Sequence, residues 1–193
     1  MASSIHRRVA LHLLGAAASG LLLPQAVHAQ AALDEERTRI LRSLAPDGAS
    51  RPATTVVSGT RRTITADDRG APITIQVDST RSVDLSVYFA FDSAVIGPEG
   101  ARTLLALGQA LRDPKLIGAR VLVAGHTDAR GDLDYNVRLS FRRARSVREH
   151  LAVVHGIEER RMLAHGFGPT QPKVPSQPLD PANRRVEIAL VVV

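Results

Sequence analysis

The sequence of 193 residues contains no cysteine, and this absence excludes several kinds of chemistry. Without a thiol the chain can form no disulfide, no thiolate nucleophile and no cysteine-ligated metal site, and it cannot carry a lipid on an N-terminal cysteine. Aromatic residues are also scarce at 3% of the chain, which leaves few rings on which nucleic-acid bases could stack. Their scarcity argues against a nucleic-acid-binding protein.

Lysine is rare in an otherwise basic chain. Only Lys115 and Lys173 are lysines among the 25 basic residues, so arginine carries almost all of the formal net charge of +6. The arginines are spread along the sequence and form no single stripe. Such a distribution does not indicate a nucleic-acid groove, although it leaves attraction to an anionic polymer open.

A hydrophobic run long enough to cross a membrane is also missing. The apolar stretch at residues 9–23 is shorter than the about 20 residues that a bilayer requires. Two arginines precede it, and Val27-His28-Ala29 places small residues where a signal peptidase cleaves. We predict that residues 1–29 are an export signal and that the mature chain begins near Gln30, without a membrane-spanning segment. A retained anchor and a twin-arginine leader are the alternatives.

Export has two consequences for the mature chain. Loss of the leader arginines lowers the formal net charge from +6 to +4. The mature chain is then expected outside the cytoplasm.

Residues 30–82 are polar and carry weaker structural signals. Residues 33–44, LDEERTRILRSL, have acidic residues early and arginines late, which favours a short surface helix. Residues 46–72 have little periodicity and are typical of a linker, whereas residues 73–77 alternate and predict a strand at a sheet edge or in the linker. We predict a helix and a partly disordered linker at 30–82, which also offers a contact surface for an envelope protein.

Residues 83–193 have the pattern of one α/β domain. The predicted strands are 83–89, 119–124, 162–166 and 185–193, and the predicted helices run from about Pro98 to Asp113 and from Tyr135 to about His155. The strand at 119–124 has no polar alternation, so we expect it at the centre of the sheet. Asp134 is expected to cap the second helix and Gly156 to end it. The order predicts a two-layer α/β (α+β) sandwich of βαβαβ type, with a mixed four-stranded sheet and helices packed on one face.

The turn at Gly125–Gly131 contains the most informative charges. It follows the carboxyl end of the central strand, where open α/β sheets have their ligand crevices. Thr127 and Asp128 can present oxygen atoms to a guest, and Asp128 can accept hydrogen bonds from an ammonium group. Arg143 in the following helix has the planar donor fork that captures a carboxylate. Together they match an amino-acid head group; the alternative is that Asp128 and Arg143 pair with each other or with backbone groups.

Five motifs in order extend this observation over residues 83–193. They are VYFAFDSAVI (87–96), GHTDARG (125–131), YNVRLSFRRARSV (135–147), GFGPTQP (166–172) and NRRVEI (183–188). With these motifs the segment resembles the OmpA-like C-terminal, peptidoglycan-binding domain, which also occurs in peptidoglycan-associated lipoprotein and in the MotB stator protein.

The resemblance implies non-covalent binding of the cell-wall stem peptide through its diaminopimelate. It implies that Asp128 receives the ammonium of diaminopimelate and that Arg143 clamps its carboxylate. The remaining residues of the predicted peptidoglycan-binding site are Thr127, Asn136, Leu139, Arg184, Asp92 and Ser93. Unlike peptidoglycan-associated lipoprotein, this chain has no acylated cysteine, so the sequence identifies no membrane tether.

Other site types match the residues less well. Asp128, Asp132 and Asp134 resemble a calcium loop, but Arg130 occupies a ligand position and Leu139 replaces the closing glutamate. The histidines lack a compact metal spacing, and no phosphate loop or hydrolase elbow is present, so we predict no metal and no cofactor. The alternatives to a wall-binding protein are a periplasmic scaffold and a wall-acting enzyme. Catalysis would require two titratable groups at the reacting bond, and the crevice offers one carboxylate facing an arginine; we therefore predict no enzyme.

Overall fold

The computed structural model describes residues 23–45, 61–68, 71–90 and 92–192. Most of the predicted export signal and the first part of the predicted linker lie outside these residues. Within the described ranges, none of the helices combines the length and the hydropathy that crossing a bilayer requires.

The described residues form helices, strands and short 3-10 turns. The helices are α1 (Leu23–Leu44), α2 (Pro98–Leu111) and α3 (Leu133–His155). The strands are β1 (Arg61–Asp68), β2 (Ala71–Leu85), β3 (Val121–His126), β4 (Met162–Gly168) and β5 (Val186–Val192), and the 3-10 turns are Glu159–Arg161 and Pro181–Asn183. The chain divides after Ala32 into two compact units. The second unit contains residues 33–44 of α1 and all later elements.

The five strands form one mixed sheet in the order β1-β2-β5-β3-β4. Neighbouring strands are antiparallel except β3 and β4, which are parallel. The sheet curls until β1 meets β4 through the pair Asp67 and Ala164, which closes it into a barrel. The α/β class and the mixed sheet are confirmed, while the predicted strand count of four is too low by one.

The additional strand is β1, which lies in the segment that the sequence assigned to a linker. Ile64 and Ala66 are buried, whereas Thr63 and Thr65 are exposed, so the strand alternates with a period of two. It contributes few apolar residues, and this weak pattern explains why it escapes detection in the sequence. β2 joins the predicted strands at 73–77 and 83–89 into one element, with an irregularity between Asp78 and Ser82, and ends at Leu85.

β3 lies between β5 and β4, and all six of its residues are buried, as predicted for the centre of the sheet. Its side chains alternate between two hydrophobic cores. Val121 and Val123 face the core that residues from α1, α2 and α3 complete. Leu122 and Ala124 face the second core, which β1 and β2 cover. The predicted packing of helices on one face is confirmed, and the β1-β2 hairpin covers the other.

Helix α3 approaches β3 and β4 so closely that only glycine fits beneath it. A Cβ atom at Gly125 would lie 2.1 Å from the carbonyl oxygen of Ser140, and one at Gly166 would lie 2.4 Å from the backbone nitrogen of Phe141. The Ser140 hydroxyl also accepts a hydrogen bond from the Gly168 backbone N–H at 2.9 Å. These contacts fix α3 against the sheet and therefore fix Arg143 one turn further along.

The ends of α3 differ in how well the sequence predicted them. Gly156 ends the helix in the left-handed conformation, with φ 66°, as expected. The N-cap is Asp132, whose carboxylate accepts the Tyr135 backbone N–H at 2.8 Å, and the prediction of Asp134 is wrong. Asp132 has the extended backbone that an N-cap requires, whereas Asp134 lies in the first turn of the helix.

Candidate ligand-binding site

The carboxyl ends of β2 and β3 and the start of β5 meet at one edge of the sheet. Leu85 of β2 and Gly125 of β3 both pair with Val186 of β5 in the register. A cavity of about 410 Å³ opens at this edge, and its wall includes Phe89 and Arg143. The position agrees with the expected crevice beyond the central strand.

Asp128 lies in the turn after β3 and is 7% exposed. One carboxylate oxygen, Oδ2, is 2.7 Å from Nη1 of Arg184, and the other accepts the Arg130 backbone N–H at 3.2 Å. Two contacts from different segments thus orient the carboxylate. Arg184 lines the cavity and keeps a side chain that is 46% exposed, so it connects Asp128 to the open space.

Arg143 lies on α3, lines the same cavity and is partly buried. Its Nε donates to the carbonyl oxygen of Ser93 at 2.9 Å, and its guanidinium carbon lies 5.0 Å from the ring centroid of Phe89. In the part of the chain that the structure describes, neither terminal nitrogen of Arg143 has a side-chain or backbone acceptor. Both are available to a guest carboxylate, while Nε and the ring hold the group in place.

The electrostatic surroundings of Arg143 favour an anion. Burial, followed by the charge of Arg184, lowers the pKa of Arg143, although an arginine remains charged at neutral pH. The charge of Asp92 opposes this shift. Asp128 and Arg143 form no ion pair with each other, but each bonds a backbone group, as the other form of the alternative expects: Asp128 accepts the Arg130 N–H, and Arg143 donates to the Ser93 carbonyl oxygen.

The other residues of the predicted site occupy different positions. Thr127 is buried, its backbone N–H donates to Gly168 at 3.0 Å, and its hydroxyl has no partner among the described residues. Asn136 is buried and donates to the carbonyl oxygen of Arg130 at 2.7 Å, which holds the turn that carries Asp128. Leu139 is buried, at 7% exposure, on the same helix as Arg143.

The rim residues Asp92 and Ser93 lie on the segment between β2 and α2. Asp92 is exposed and has a left-handed backbone with φ 52°. The Ser93 hydroxyl accepts the Val95 backbone N–H at 2.9 Å, and the Ser93 carbonyl orients Arg143. The structure therefore places Ser93 in direct contact with the predicted carboxylate clamp, and it assigns Asp92 an electrostatic influence only.

Comparison with known proteins identifies the family of this domain. The sequence profile of the OmpA family matches residues 88–185, about half of the chain, and this range contains all of the predicted site residues. The chain belongs to the OmpA family. This result confirms the resemblance that the five motifs indicated.

Two curated relatives of this OmpA-family chain show the extent of the similarity. It is 38% identical over 108 residues to the Escherichia coli K12 protein named "Probable lipoprotein YiaD", which covers 54% of this chain and 48% of that protein. It is 36% identical over 103 residues to the peptidoglycan-associated lipoprotein of Pseudomonas aeruginosa, which covers 52% and 59% respectively. The chain thus spans about half to three fifths of the length of these relatives.

Solved structures support the fold. The periplasmic domain of MotB from Helicobacter pylori superimposes with a TM-score of 0.50 at 17% identity, covering 69% of this chain and 88% of that one. At this level of identity the likeness establishes a shared fold and nothing more.

Two buried residues near this cavity were missed in the sequence. His126, which immediately precedes Thr127, is buried and belongs to the residues around the cavity. Asn183 is fully buried, and its amide bonds the carbonyl oxygens of Gln177 and Pro178 at 2.9 and 3.2 Å, which shapes the loop before Arg184. Both belong to recognised motifs, GHTDARG and NRRVEI, and this membership was the available signal.

Proposed function

We propose that the protein binds peptidoglycan non-covalently through the diaminopimelate of the stem peptide and thereby helps to organise the cell envelope. Asp128 accepts the ammonium group of diaminopimelate, and Arg143 holds the adjacent carboxylate with its two terminal nitrogens. The observation that carries the proposal is that Arg143 lines the cavity while Asp128 bonds Arg184, another residue of its wall, so the two opposite charges are oriented by different partners instead of by each other. Membership of a family that includes a peptidoglycan-associated lipoprotein supports the same ligand.

The supporting residues have distinct roles in this proposal. Arg184 steers Asp128 and adds positive charge near the carboxylate, while Ser93 fixes the direction of Arg143. Thr127 offers a hydroxyl that no described residue uses. Asn136 and Leu139 shape the turn and the helix that carry the two charges.

The proposed activity is binding and includes no covalent chemistry. The carboxylate at the site, Asp128, is already held by an arginine, and the nearby pair of His126 and Glu187 bond each other at 3.2 Å. We also propose that residues 1–29 direct export and that the protein acts in the periplasm, at the wall or the outer membrane.

Co-sedimentation of the purified protein with diaminopimelate-type peptidoglycan tests the proposal, and calorimetry with free diaminopimelate tests the ligand. Asp128→Asn or Arg143→Ala should each weaken binding by about 2–5 kcal/mol, because each leaves one charge of the bound guest without its partner. Asp134→Asn and Arg145→Ala are matched controls, since both residues are exposed on α3. Wild-type affinity in both site variants would overturn the proposal, as would release of soluble fragments during incubation.

A further inference from the structure

Asn183 lies directly before Arg184 and is completely buried. Each polar atom of its side-chain amide has a partner in the loop between β4 and β5. Oδ1 accepts the Val174 backbone N–H at 3.0 Å, and Nδ2 donates to the carbonyl oxygens of Gln177 and Pro178 at 2.9 and 3.2 Å. A buried amide whose bonds all go to one loop holds the backbone of that loop in a single shape.

The carbonyl group of Pro178 joins this amide to the turn that carries Asp128. Its oxygen accepts a second hydrogen bond, from the Ala129 backbone N–H at 3.0 Å. A carbonyl oxygen has two lone pairs, so both bonds can exist together. Because Ala129 directly follows Asp128, the side chain of Asn183 holds the backbone next to Asp128 through one shared oxygen atom.

A second connection runs from Asn183 to Asp128 through Arg184. The Arg184 backbone N–H donates to the Pro181 carbonyl oxygen at 3.0 Å, at the end of the 3-10 turn that contains Asn183. Nη1 of Arg184 then lies 2.7 Å from Oδ2 of Asp128. An arginine side chain has many rotamers, so a fixed backbone lowers the entropic cost of keeping it on one carboxylate oxygen. The buried amide is therefore linked both to the backbone beside Asp128 and to its carboxylate.

We propose that Asn183 is a positioning residue for ligand binding: it sets the orientation of the Asp128 carboxylate and thereby the affinity for the ammonium group of the guest. The inference rests on the proposed function, from which it takes the ammonium group. Asn183 itself is completely buried, so it does not contact the guest and acts through Pro178 and Arg184. Both connections orient the carboxylate before a guest arrives, which reduces the ordering cost of binding.

The carboxylate half of the site is held by other contacts. Arg143 lies on α3, and its guanidinium group is held by the Ser93 carbonyl oxygen at 2.9 Å and by the Phe89 ring at 5.0 Å. Neither contact belongs to the loop that Asn183 shapes. The inference therefore predicts a selective loss, in which the contribution of the ammonium group falls and the binding of the carboxylate stays. A residue that only stabilised the fold would affect both.

Two ligands and two substitutions test this selectivity in calorimetry. The ligands are diaminopimelate and pimelate, which has the same carbon chain and both carboxylates but no ammonium group. In Asn183→Ala we expect the affinity for diaminopimelate to fall about five- to ten-fold, the worth of one net hydrogen bond, and that for pimelate to stay within about two-fold. Thr170→Ala is the matched control, because it removes a different hydrogen bond of the same loop, from the Thr170 hydroxyl to the Phe167 carbonyl oxygen at 2.7 Å. Both of its affinities should stay within about two-fold.

A measurement on the wild type makes the test independent of how the variant folds. Coupling between two equilibria is reciprocal, so bound diaminopimelate should slow the exchange of the Asn183 side-chain amide hydrogens and of the Ala129 backbone amide hydrogen by the same factor, about five- to ten-fold. Saturating pimelate should change these rates by less than about two-fold. The exchange of the Val123 amide hydrogen in the central strand corrects for any change in the stability of the whole domain.

The inference is overturned if Asn183→Ala loses the same factor for both ligands or for neither, or if diaminopimelate and pimelate slow the exchange equally or not at all. Loss of diaminopimelate affinity in Asp128→Asn together with full affinity in Asn183→Ala would refute the inference alone. Failure of the proposed function would look different, because Asp128→Asn would then bind diaminopimelate as tightly as the wild type does.

Discussion

The close approach of α3 to the sheet makes Gly125 a sensitive position. In Gly125→Ala the new methyl group would lie 2.1 Å from the carbonyl oxygen and 2.8 Å from the carbonyl carbon of Ser140. Both are backbone atoms, so the helix itself has to move by about 1 Å to restore an ordinary contact. Overpacking of this kind costs about 1–3 kcal/mol, and we expect the upper end because no flexible side chain can yield. The melting temperature should then fall by about 6–12 °C, since a domain of this size loses about 2–4 °C per kcal/mol.

Gly118→Ala is the matched control for this substitution. A Cβ atom at Gly118 meets nothing within 4 Å, so the change should leave the stability unaltered or raise it by about 0.4–1 kcal/mol through the unfolded chain. Urea unfolding followed by circular dichroism measures both variants. Equal midpoints for the two would refute the reasoning about the helix contact. The displaced helix should also weaken ligand binding, because the 2.9 Å bond from Arg143 to Ser93 would stretch.

Three further predictions concern Arg143, Arg161 and the buried histidines. Arg143→Lys keeps the charge but loses the donor fork, so affinity for diaminopimelate should fall by about 2 kcal/mol in calorimetry; an unchanged affinity would rule out a two-pronged clamp. Arg161 donates to three backbone carbonyl oxygens at 2.7–3.0 Å, so Arg161→Ala should cost about 2–4 kcal/mol in urea unfolding, whereas exposed Arg160→Ala should cost less than about 1 kcal/mol. Burial lowers the pKa of His126, His150, His155 and His165 below the ordinary 6.5, so just below that pH the unfolded chain binds more protons than the folded one. The free energy of unfolding should therefore decrease from pH 7 to pH 5. If His126→Gln leaves this pH dependence unchanged, His126 does not contribute to it.

The helices and the central strand could be predicted because their signals are local. Pro98 begins α2 and Gly156 ends α3, and both act within a few residues. The uninterrupted apolar run of β3 reports burial on both faces without knowledge of its neighbours. β1 has no such signal: among residues 61–66, whose side chains the structure describes, Ile64 and Ala66 alone are buried. Its stability comes from pairing with β2 and from a core that distant segments complete.

The candidate site, too, could be predicted only in part. Asp128 and Arg143 could be selected from residue type and from their place beside the central strand. The structure puts Arg143 in the cavity wall and joins Asp128 to that wall through Arg184. Their partners could not be read in advance, since Arg184 lies 56 residues from Asp128 and Ser93 lies 50 residues from Arg143. The partner of His126 is 61 residues away, and a histidine whose environment depends on such a distant glutamate has no signature in its own motif.

The pairing of β1 with β4 affects the tendency of this protein to aggregate. Strand edges with free backbone groups are templates on which a second molecule can add a strand and start aggregation. Here the two outermost strands of the sheet turn toward each other and share one residue pair, which closes the sheet into a barrel and shortens the free edge of each strand. A repetitive polymer gathers its binding proteins at high local density. Under the proposed binding to peptidoglycan, the shortened strand edges should reduce aggregation between copies that lie close together on the polymer.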